Sequence, residues 1–188
     1  MRSITFGFLC ACLLATQASA GILVYTDIMS GLNEVPSTGS TASGSATVTV
    51  DTVANTLKIL ETWAGLAGPP TGAHIHCCSL PGVNSGVALP FTTFPTTTSG
   101  SFTFTYDLTN TATYNATFLS SSGGTAALAE SALLTGMASG MTYTNIHDAQ
   151  FPGGEIRGQL AGAPEPGTMA LAGTSLLGLI AAVRRRRP

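Results

Sequence analysis

The sequence predicts an all-β fold, a β-sandwich or barrel of about eight strands, with a single membrane helix near its C-terminal end. Short apolar segments of four to eight residues recur between clusters of Gly, Pro, Asn and Ser, which is typical of sandwiches and barrels. Residues 101–108 alternate strictly between apolar and polar side chains, so one face of that strand packs on a core. Residues 168–183 form an apolar run that predicts the membrane helix.

The predicted strands follow one another along the whole central part of the chain. They are residues 22–29, 45–51, 57–64, 72–78, 87–91, 101–108, 113–119, 141–148 and 154–160. The second and third flank the turn-like residues 53–55, which predicts a hairpin. Residues 125–134 predict either a further strand or a helical connection, because Ala-Leu-Ala-Glu favours a helix locally.

Residues 1–20 have the organisation of a secretory signal peptide. Arg2 supplies a basic start, residues 4–14 an apolar segment, and Ala18 and Ala20 the small residues at which signal peptidase cleaves. Residues 21–163 then have the length of one domain, which we expect to be the functional part of the chain.

The central domain is acidic. It contains two cations, Lys58 and Arg157, and eight carboxylates, so the formal net charge of residues 21–163 is −6. Nucleic-acid binding requires clustered Lys and Arg side chains, and this composition excludes it.

Residues 164–188 carry three ordered elements: the polar motif Pro164, Glu165 and Pro166, the apolar run, and the basic cluster Arg184, Arg185, Arg186 and Arg187. Arginines stay on the cytoplasmic side of a membrane, which places the preceding domain on the far side. The order resembles the PEP-CTERM sorting signal of Gram-negative bacteria. The resemblance implies an exosortase as partner, a transient anchor in the inner membrane, and removal of the tail. The alternative is an ordinary C-terminal anchor.

Three sequence blocks within the central domain stand in a characteristic order. They are Gly-Leu-Asn-Glu-Val-Pro at 31–36, Ala-His-Ile-His at 73–76, and Asn-Ile-His at 145–147 followed by Pro-Gly-Gly-Glu-Ile-Arg-Gly-Gln at 152–159. Together they resemble the CHRD domain, a module of secreted proteins. The resemblance implies an extracellular module for which no chemistry is established.

A second, weaker resemblance concerns the block Gly-Ala-His-Ile-His at 72–76. It is similar to the copper-binding strand of the Cu/Zn superoxide dismutases, whose fold is a Greek-key sandwich, so the resemblance implies a Greek-key β-sandwich with a dismutase-like topology. The chain has three histidines, whereas the dismutase site uses six, so the similarity concerns the fold more than the activity.

The three histidines are the candidate metal ligands. In a strand, His74 and His76 lie on one face and can reach a single ion, and His147 closes the site if its strand is nearby. Imidazole suits copper or zinc, and we expect Asp148 or Glu155 to orient a ligating ring. The alternative is that His74 and His76 are hydrogen-bonded structural residues of the sandwich, with Asn145 and His147 as their polar partners.

Cys77 and Cys78 are neighbours and permit three interpretations. They form a disulfide, or they are thiols of which Cys78 binds a metal, or they are small buried hydrophobic residues. An exported protein is exposed to oxidants, which favours a disulfide or free thiols over a metal thiolate.

The sequence therefore favours a non-catalytic cell-surface or extracellular-matrix module, with exopolysaccharide or other matrix components as partners. The alternative is a copper- or zinc-binding or redox domain that uses His74, His76 and His147, including a weak dismutase. Paired carboxylates and a nucleophile elbow, which would indicate a hydrolase, have no counterpart in this pattern.

Overall fold

Nine β-strands and two α-helices make up residues 21–163, which are the residues that this computed structural model describes. The strands are β1 (Ile22–Ser30), β2 (Ser43–Asp51), β3 (Thr56–Ala64), β4 (Pro70–Cys77), β5 (Val87–Pro90), β6 (Gly100–Asp107), β7 (Thr142–Asp148), β8 (Ile156–Gln159) and β9 (Ala161–Gly162). The helices, α1 (Ala116–Ser121) and α2 (Ala126–Ala138), lie between β6 and β7.

All strand pairs are antiparallel, and the strands form one continuous sheet in the order β5-β4-β7-β8-β1-β2-β3-β6, with β9 paired to β1. The sheet curls into a half-barrel. Phe91, just after β5, lies 5.6 Å from Phe102 and 6.4 Å from Tyr106 of β6 between ring centroids, so the two end strands meet across the core. The all-β class is confirmed, whereas the Greek-key sandwich with a dismutase-like topology stays a prediction.

The predicted hairpin is confirmed in β2 and β3. These strands pair in unbroken register from Ser43↔Ala64 to Asp51↔Thr56. At the turn, Asp51 Oδ1 accepts hydrogen bonds of 2.9 Å from the backbone N–H groups of Val53 and Ala54, and Asn55 takes a positive φ of 50°. An Asx turn followed by a left-handed asparagine is a common way to reverse a strand.

Alternation along the strands produces the core. Every second residue of β3 is buried, and the residues between them are exposed. The buried residues are Leu57, Ile59, Trp63 and one charged residue, Glu61. Trp63 stacks on Phe94 at 4.6 Å between ring centroids. Each fully buried large apolar side chain contributes roughly 1.5–3 kcal/mol through removal of its surface from water.

The prediction of a strand at residues 113–119 is wrong. A 3₁₀ turn at Thr111–Thr113 precedes α1, and Asn115 caps the helix by accepting from the backbone N–H of Thr117 at 2.9 Å. Tyr114 and Phe118 are four residues apart and both buried, which is a helical spacing. Local capping thus decided between strand and helix.

The helical alternative predicted for residues 125–134 is confirmed, because Ala126–Ala138 form α2, whose first turn is capped by Thr125 Oγ1 accepting from the backbone N–H of Leu128 at 3.3 Å. One other segment departs from a predicted strand in detail. Residues 154–160 begin as a turn rather than a strand, because Gly154 takes a φ of 123° and turns the chain before β8 starts at Ile156.

The predicted signal peptide, the Pro164–Glu165–Pro166 motif, the membrane helix at 168–183 and the arginine cluster at 184–187 lie outside the described residues. Between residues 21 and 163, neither helix has the length and apolar character needed to cross a membrane.

Candidate metal centre

One face of strands β4, β7 and β8 carries a set of polar side chains. Across these strands His74 is paired with Asn145 and Asn145 with Arg157, and the next row is His76, Tyr143 and Gln159. The intervening Ala73 and Ile75 of β4 are buried in the core. The alternation of β4 therefore places His74 and His76 on the same face, as the sequence predicts.

Two loops cover this polar face. The segment after β4 folds back on itself through a backbone hydrogen bond from Cys77 N–H to the Gly86 carbonyl. Asn84 in this loop donates to the carbonyl of Val35 at 2.7 Å, which joins it to the Gly-Leu-Asn-Glu-Val-Pro segment. As a result Asn145 and Arg157, which would otherwise face water, are each 2% exposed.

The three predicted ligands come together. One ring nitrogen from each of His74, His76 and His147 lies within 4.8 Å of the corresponding atoms of the other two. His74 is the central ring, with centroid separations of 5.6 Å to His76 and 5.1 Å to His147. His76 is buried, whereas His74 and His147 are half-buried, so the cluster is accessible from solvent on one side.

Backbone carbonyls determine which ring nitrogens carry protons. His76 Nδ1 lies 2.8 Å from the Ser85 carbonyl oxygen, and His147 Nδ1 lies 3.0 Å from that of Pro152. A carbonyl oxygen only accepts, so Nδ1 must be the donor in both rings. In the neutral ring Nε2 then bears a lone pair, and both Nε2 atoms lie 3.0 Å from Oδ1 of Asn145.

His74 completes the cluster. Its Nδ1 is buried without a hydrogen-bond partner among residues 21–163, which is an unfavourable state for an imidazole. The ring lies over Gly72, where an added Cβ would stand 3.1 Å from Cε1 and 3.3 Å from Nε2 of His74. The absence of a side chain at residue 72 thus makes room for this ring beside His147.

All three rings are held in the neutral form that binds metals. Burial, together with the nearby His147 and His76, lowers the pKa of His74 to about 4. Burial also lowers the pKa of His76 and of His147, against hydrogen bonds to Ser85 and Pro152 that raise it. Three neutral imidazoles with converging nitrogens are a donor set suited to copper or zinc.

The acidic residues predicted to orient the ligands lie elsewhere, so that prediction is wrong. Glu155 accepts from Ser40 Oγ at 2.7 Å and from the Ala67 backbone, and Asp148 accepts from the backbone N–H of Phe151 at 2.7 Å. The main-chain carbonyls that replace them lie in loops and have no sequence signature.

Arg157 supports the centre from the adjacent strand, a role that the sequence does not indicate. Its guanidinium donates to Asn84 Oδ1 at 2.8 Å and to the Val83 carbonyl at 3.0 Å. It also lies 3.4 Å from the ring centroid of Tyr143, a cation–π contact. Tyr143 in turn stacks on His76 with centroids 4.6 Å apart and planes only 3° from parallel. The arginine therefore fixes both the covering loop and the plane of a ligand ring.

Cys77 and Cys78 are joined as a disulfide, the first of the three arrangements that the sequence permits. Their sulfurs pack on α2 at Gly136, where an added Cβ would stand 2.5 Å from Cys77 Sγ and 2.8 Å from Cys78 Sγ. Cys78 Sγ is also 3.8 Å from the Ala132 carbonyl oxygen of the same helix. The sulfurs thus contact the helix, and the three-histidine cluster contains no cysteine ligand.

Comparison with known proteins gives two matches to family models. The model described as the CHRD domain matches residues 25–160, and the model described as the PEP-CTERM protein-sorting motif matches residues 163–187. Both resemblances noted in the sequence are thereby confirmed. Searches of curated proteins and of solved structures give no match.

Proposed function

We propose that this chain, which belongs to the CHRD domain family, is a non-catalytic exported module. We further propose that it binds a copper or zinc ion through His74, His76 and His147, which lie close together. The CHRD domain is a module of the extracellular type and is not a known enzyme family. A metal site gives such a module a defined chemical property without requiring catalysis.

The sorting motif supports the route by which the module reaches its place of action. A PEP-CTERM motif implies an exosortase substrate that is exported and sorted at the membrane of a Gram-negative bacterium. In the proposed route, signal peptidase removes residues 1–20 and the arginine cluster holds the tail in the inner membrane. Exosortase then processes the chain near Pro164, Glu165 and Pro166. The domain reaches the cell surface or the matrix, where exopolysaccharide is the proposed neighbour.

The observation that carries the metal site is the convergence of three imidazole nitrogens within 4.8 Å. Nδ1 is committed to a backbone carbonyl in both His76 and His147, which directs a bare Nε2 from each ring to one point. A bound ion requires such oriented, deprotonated rings, and an outer partner on the second nitrogen is the usual means of orienting them. Structural histidines need no such convergence of lone pairs.

Metal content of the exported protein tests the proposal. The full chain is expressed in a host that has an exosortase, and the mature protein is purified and analysed for copper and zinc. We expect about one ion per chain, lost in a His74→Ala, His76→Ala double variant and kept in a Thr62→Ala control on an exposed strand face. The mass of the same sample reports whether the tail was removed.

The outcome separates the alternatives. Absence of metal from a folded wild-type protein, after dialysis against copper or zinc as well, would leave the histidines structural and overturn the proposed site. If the copper-loaded protein dismutates superoxide and the double variant does not, the weak-dismutase alternative replaces the non-catalytic module.

A further inference from the structure

We propose that the side-chain oxygen of Asn145 is the fourth ligand of the metal ion, so that the centre is a site of three nitrogens and one oxygen. This inference rests on the proposed function, because it concerns the same ion. It assigns a ligand that lies outside the set of histidines and acidic residues from which metal sites are ordinarily recognised.

The position of the Asn145 oxygen fits a ligand. Oδ1 lies 3.0 Å from Nε2 of His76 and 3.0 Å from Nε2 of His147. Ligands about 2.0–2.1 Å from a tetrahedral zinc ion are roughly 3.3 Å apart, so each of these nitrogens lies from the oxygen at close to the distance between two ligands of such a site. The third nitrogen comes from His74, which is adjacent to Asn145 in the strand pairing.

No proton is available between these atoms. The Nδ1 atoms of His76 and His147 hold the ring protons, so each Nε2 presents a lone pair to an amide oxygen that also presents one. Lone pairs that face one another at hydrogen-bond distance repel. A cation placed among them turns the repulsion into three attractive contacts, and His74 adds the fourth.

The surroundings of the amide favour the orientation with its oxygen toward the rings. Asn145 is 2% exposed, and Nδ2 of its amide lies on the same side as Oε1 of Glu34, since a Cβ added at Gly154 would meet both atoms. With the oxygen toward the rings, the amide N–H₂ faces this carboxyl group. The opposite orientation turns the amide oxygen toward this carboxyl group, for which the amide N–H₂ is the better partner because a carboxyl oxygen accepts from it.

The experiment compares the mature wild-type protein with Asn145→Ala, Asn145→Asp and Asn110→Ala. Asn110 is a matched amide control, because it lies at an exposed turn after β6, where its Oδ1 accepts from the backbone N–H of Ala112 at 3.0 Å. Zn²⁺ affinity is measured by competition with a chromophoric chelator, and Co²⁺ is used as a spectroscopic probe because its visible bands respond to the number and type of ligands.

We expect Asn145→Ala to bind Zn²⁺ 10–100-fold more weakly and to change the Co²⁺ spectrum. Asn145→Asp restores an oxygen ligand, and we expect it to recover the affinity and the wild-type type of spectrum. Asn110→Ala should leave the spectrum unchanged. The Co²⁺ spectrum depends on the atoms that bind the ion, so a loss of protein stability alone would not change it in this way.

Two results would overturn the inference, and they are distinguishable. If wild-type protein binds Zn²⁺ and Asn145→Ala matches it in affinity and spectrum, Asn145 is not a ligand and the three-histidine site stands. If wild-type protein binds neither Zn²⁺ nor Co²⁺, the proposed function fails and the fourth ligand fails with it. Should Asn145→Ala not fold, the Asn145→Asp spectrum decides, since loss of binding there contradicts the inference.

Discussion

Two regions of this domain bury polar groups, and they do so in opposite ways. On the covered face of β4, β7 and β8, Arg157 and the rings of His76 and His147 each have identified hydrogen-bond partners. In the core, Glu61 is completely buried and neither of its carboxyl oxygens has a partner among the described residues. The first region is organised around the point where the histidines meet. The second carries a cost that nothing within residues 21–163 offsets.

The physical state of Glu61 follows from this difference. Burial raises its pKa well above the usual value, and the carboxyl group of Asp27 raises it further. Burial also raises the pKa of Asp27 to about 6, although hydrogen bonds from Thr144 and from the Ala46 backbone lower it. Burial without a partner therefore favours the neutral form of Glu61, whereas the guanidinium of Arg157 has two hydrogen-bond acceptors and an aromatic ring beside it.

The largest expected effect is the removal of Arg157. Arg157→Ala leaves the Asn84 and Val83 acceptors without their donor and removes the cation over Tyr143. We expect the free energy of unfolding to fall by about 2–4 kcal/mol, because two acceptors lose their donor and a large buried side chain leaves a cavity. Urea denaturation measures it, with Lys58→Ala on the exposed face as a control that should change stability by less than about 0.5 kcal/mol.

A loss as small as that of Lys58→Ala would contradict the description of this region as a partnered network. It would mean that the covering loop is held by its other contacts, such as the Asn84 bond to Val35.

Replacement of Glu61 should act in the opposite direction. Glu61→Met removes an unpartnered buried carboxyl group at similar volume, and we expect the domain to become more stable by about 1–3 kcal/mol at neutral pH. Denaturant unfolding of the variant against wild type measures the gain, with Glu130→Met on α2 as the control. Equal or lower stability of Glu61→Met would show that Glu61 has a partner that the described contacts do not include.

Glu61 also makes the free energy of unfolding depend on pH, and the sign of this dependence follows from its raised pKa. The folded state holds the Glu61 proton at a pH where the unfolded chain, with a pKa near 4.5, has lost it. The contribution of Glu61 protonation to the stability of the folded state is thus complete below about pH 4.5, and it is lost as the pH rises through the pKa of the folded state. We expect Glu61→Met to flatten the fall in stability with rising pH, leaving the smaller contributions of Asp27 and of Glu34, whose pKa is about 7.

The smallest expected effect is that of Gly72→Ala, which should weaken metal binding with little change in the stability of the fold. Gly72→Ala places a methyl group about 3.1 Å from the His74 ring, which must tilt away from His147. We expect roughly tenfold weaker Zn²⁺ binding, equal to about 1.4 kcal/mol, with stability changed by less than about 1 kcal/mol. Gly86→Ala serves as the control, because an added Cβ there meets nothing within 4 Å. Unchanged binding in Gly72→Ala would show that the position of His74 is not critical.

Several features of the fold and of the site were predictable because they depend on local spacing. Alternation in β4 predicted that His74 and His76 share a face, and the turn between β2 and β3 was evident from its residues. The helix α1 was mistaken for a strand, because a capping asparagine competes with the β propensity of the Thr- and aromatic-rich segment that follows. The orienting groups were missed because main-chain carbonyls of residues 85 and 152 leave no mark in a side-chain pattern.

The sequence by itself determined the family, the sorting motif, the all-β class and the identity of the three histidines, because each depends on residue types at short spacing. Only the tertiary structure decided that the histidines converge, that Asn145 lies between two of them, and that Arg157 is buried behind them. These relations join β4 to β7 and β8 across some 70 to 80 residues of chain. Strand pairing and loop closure, rather than local composition, set which side chains meet over such separations.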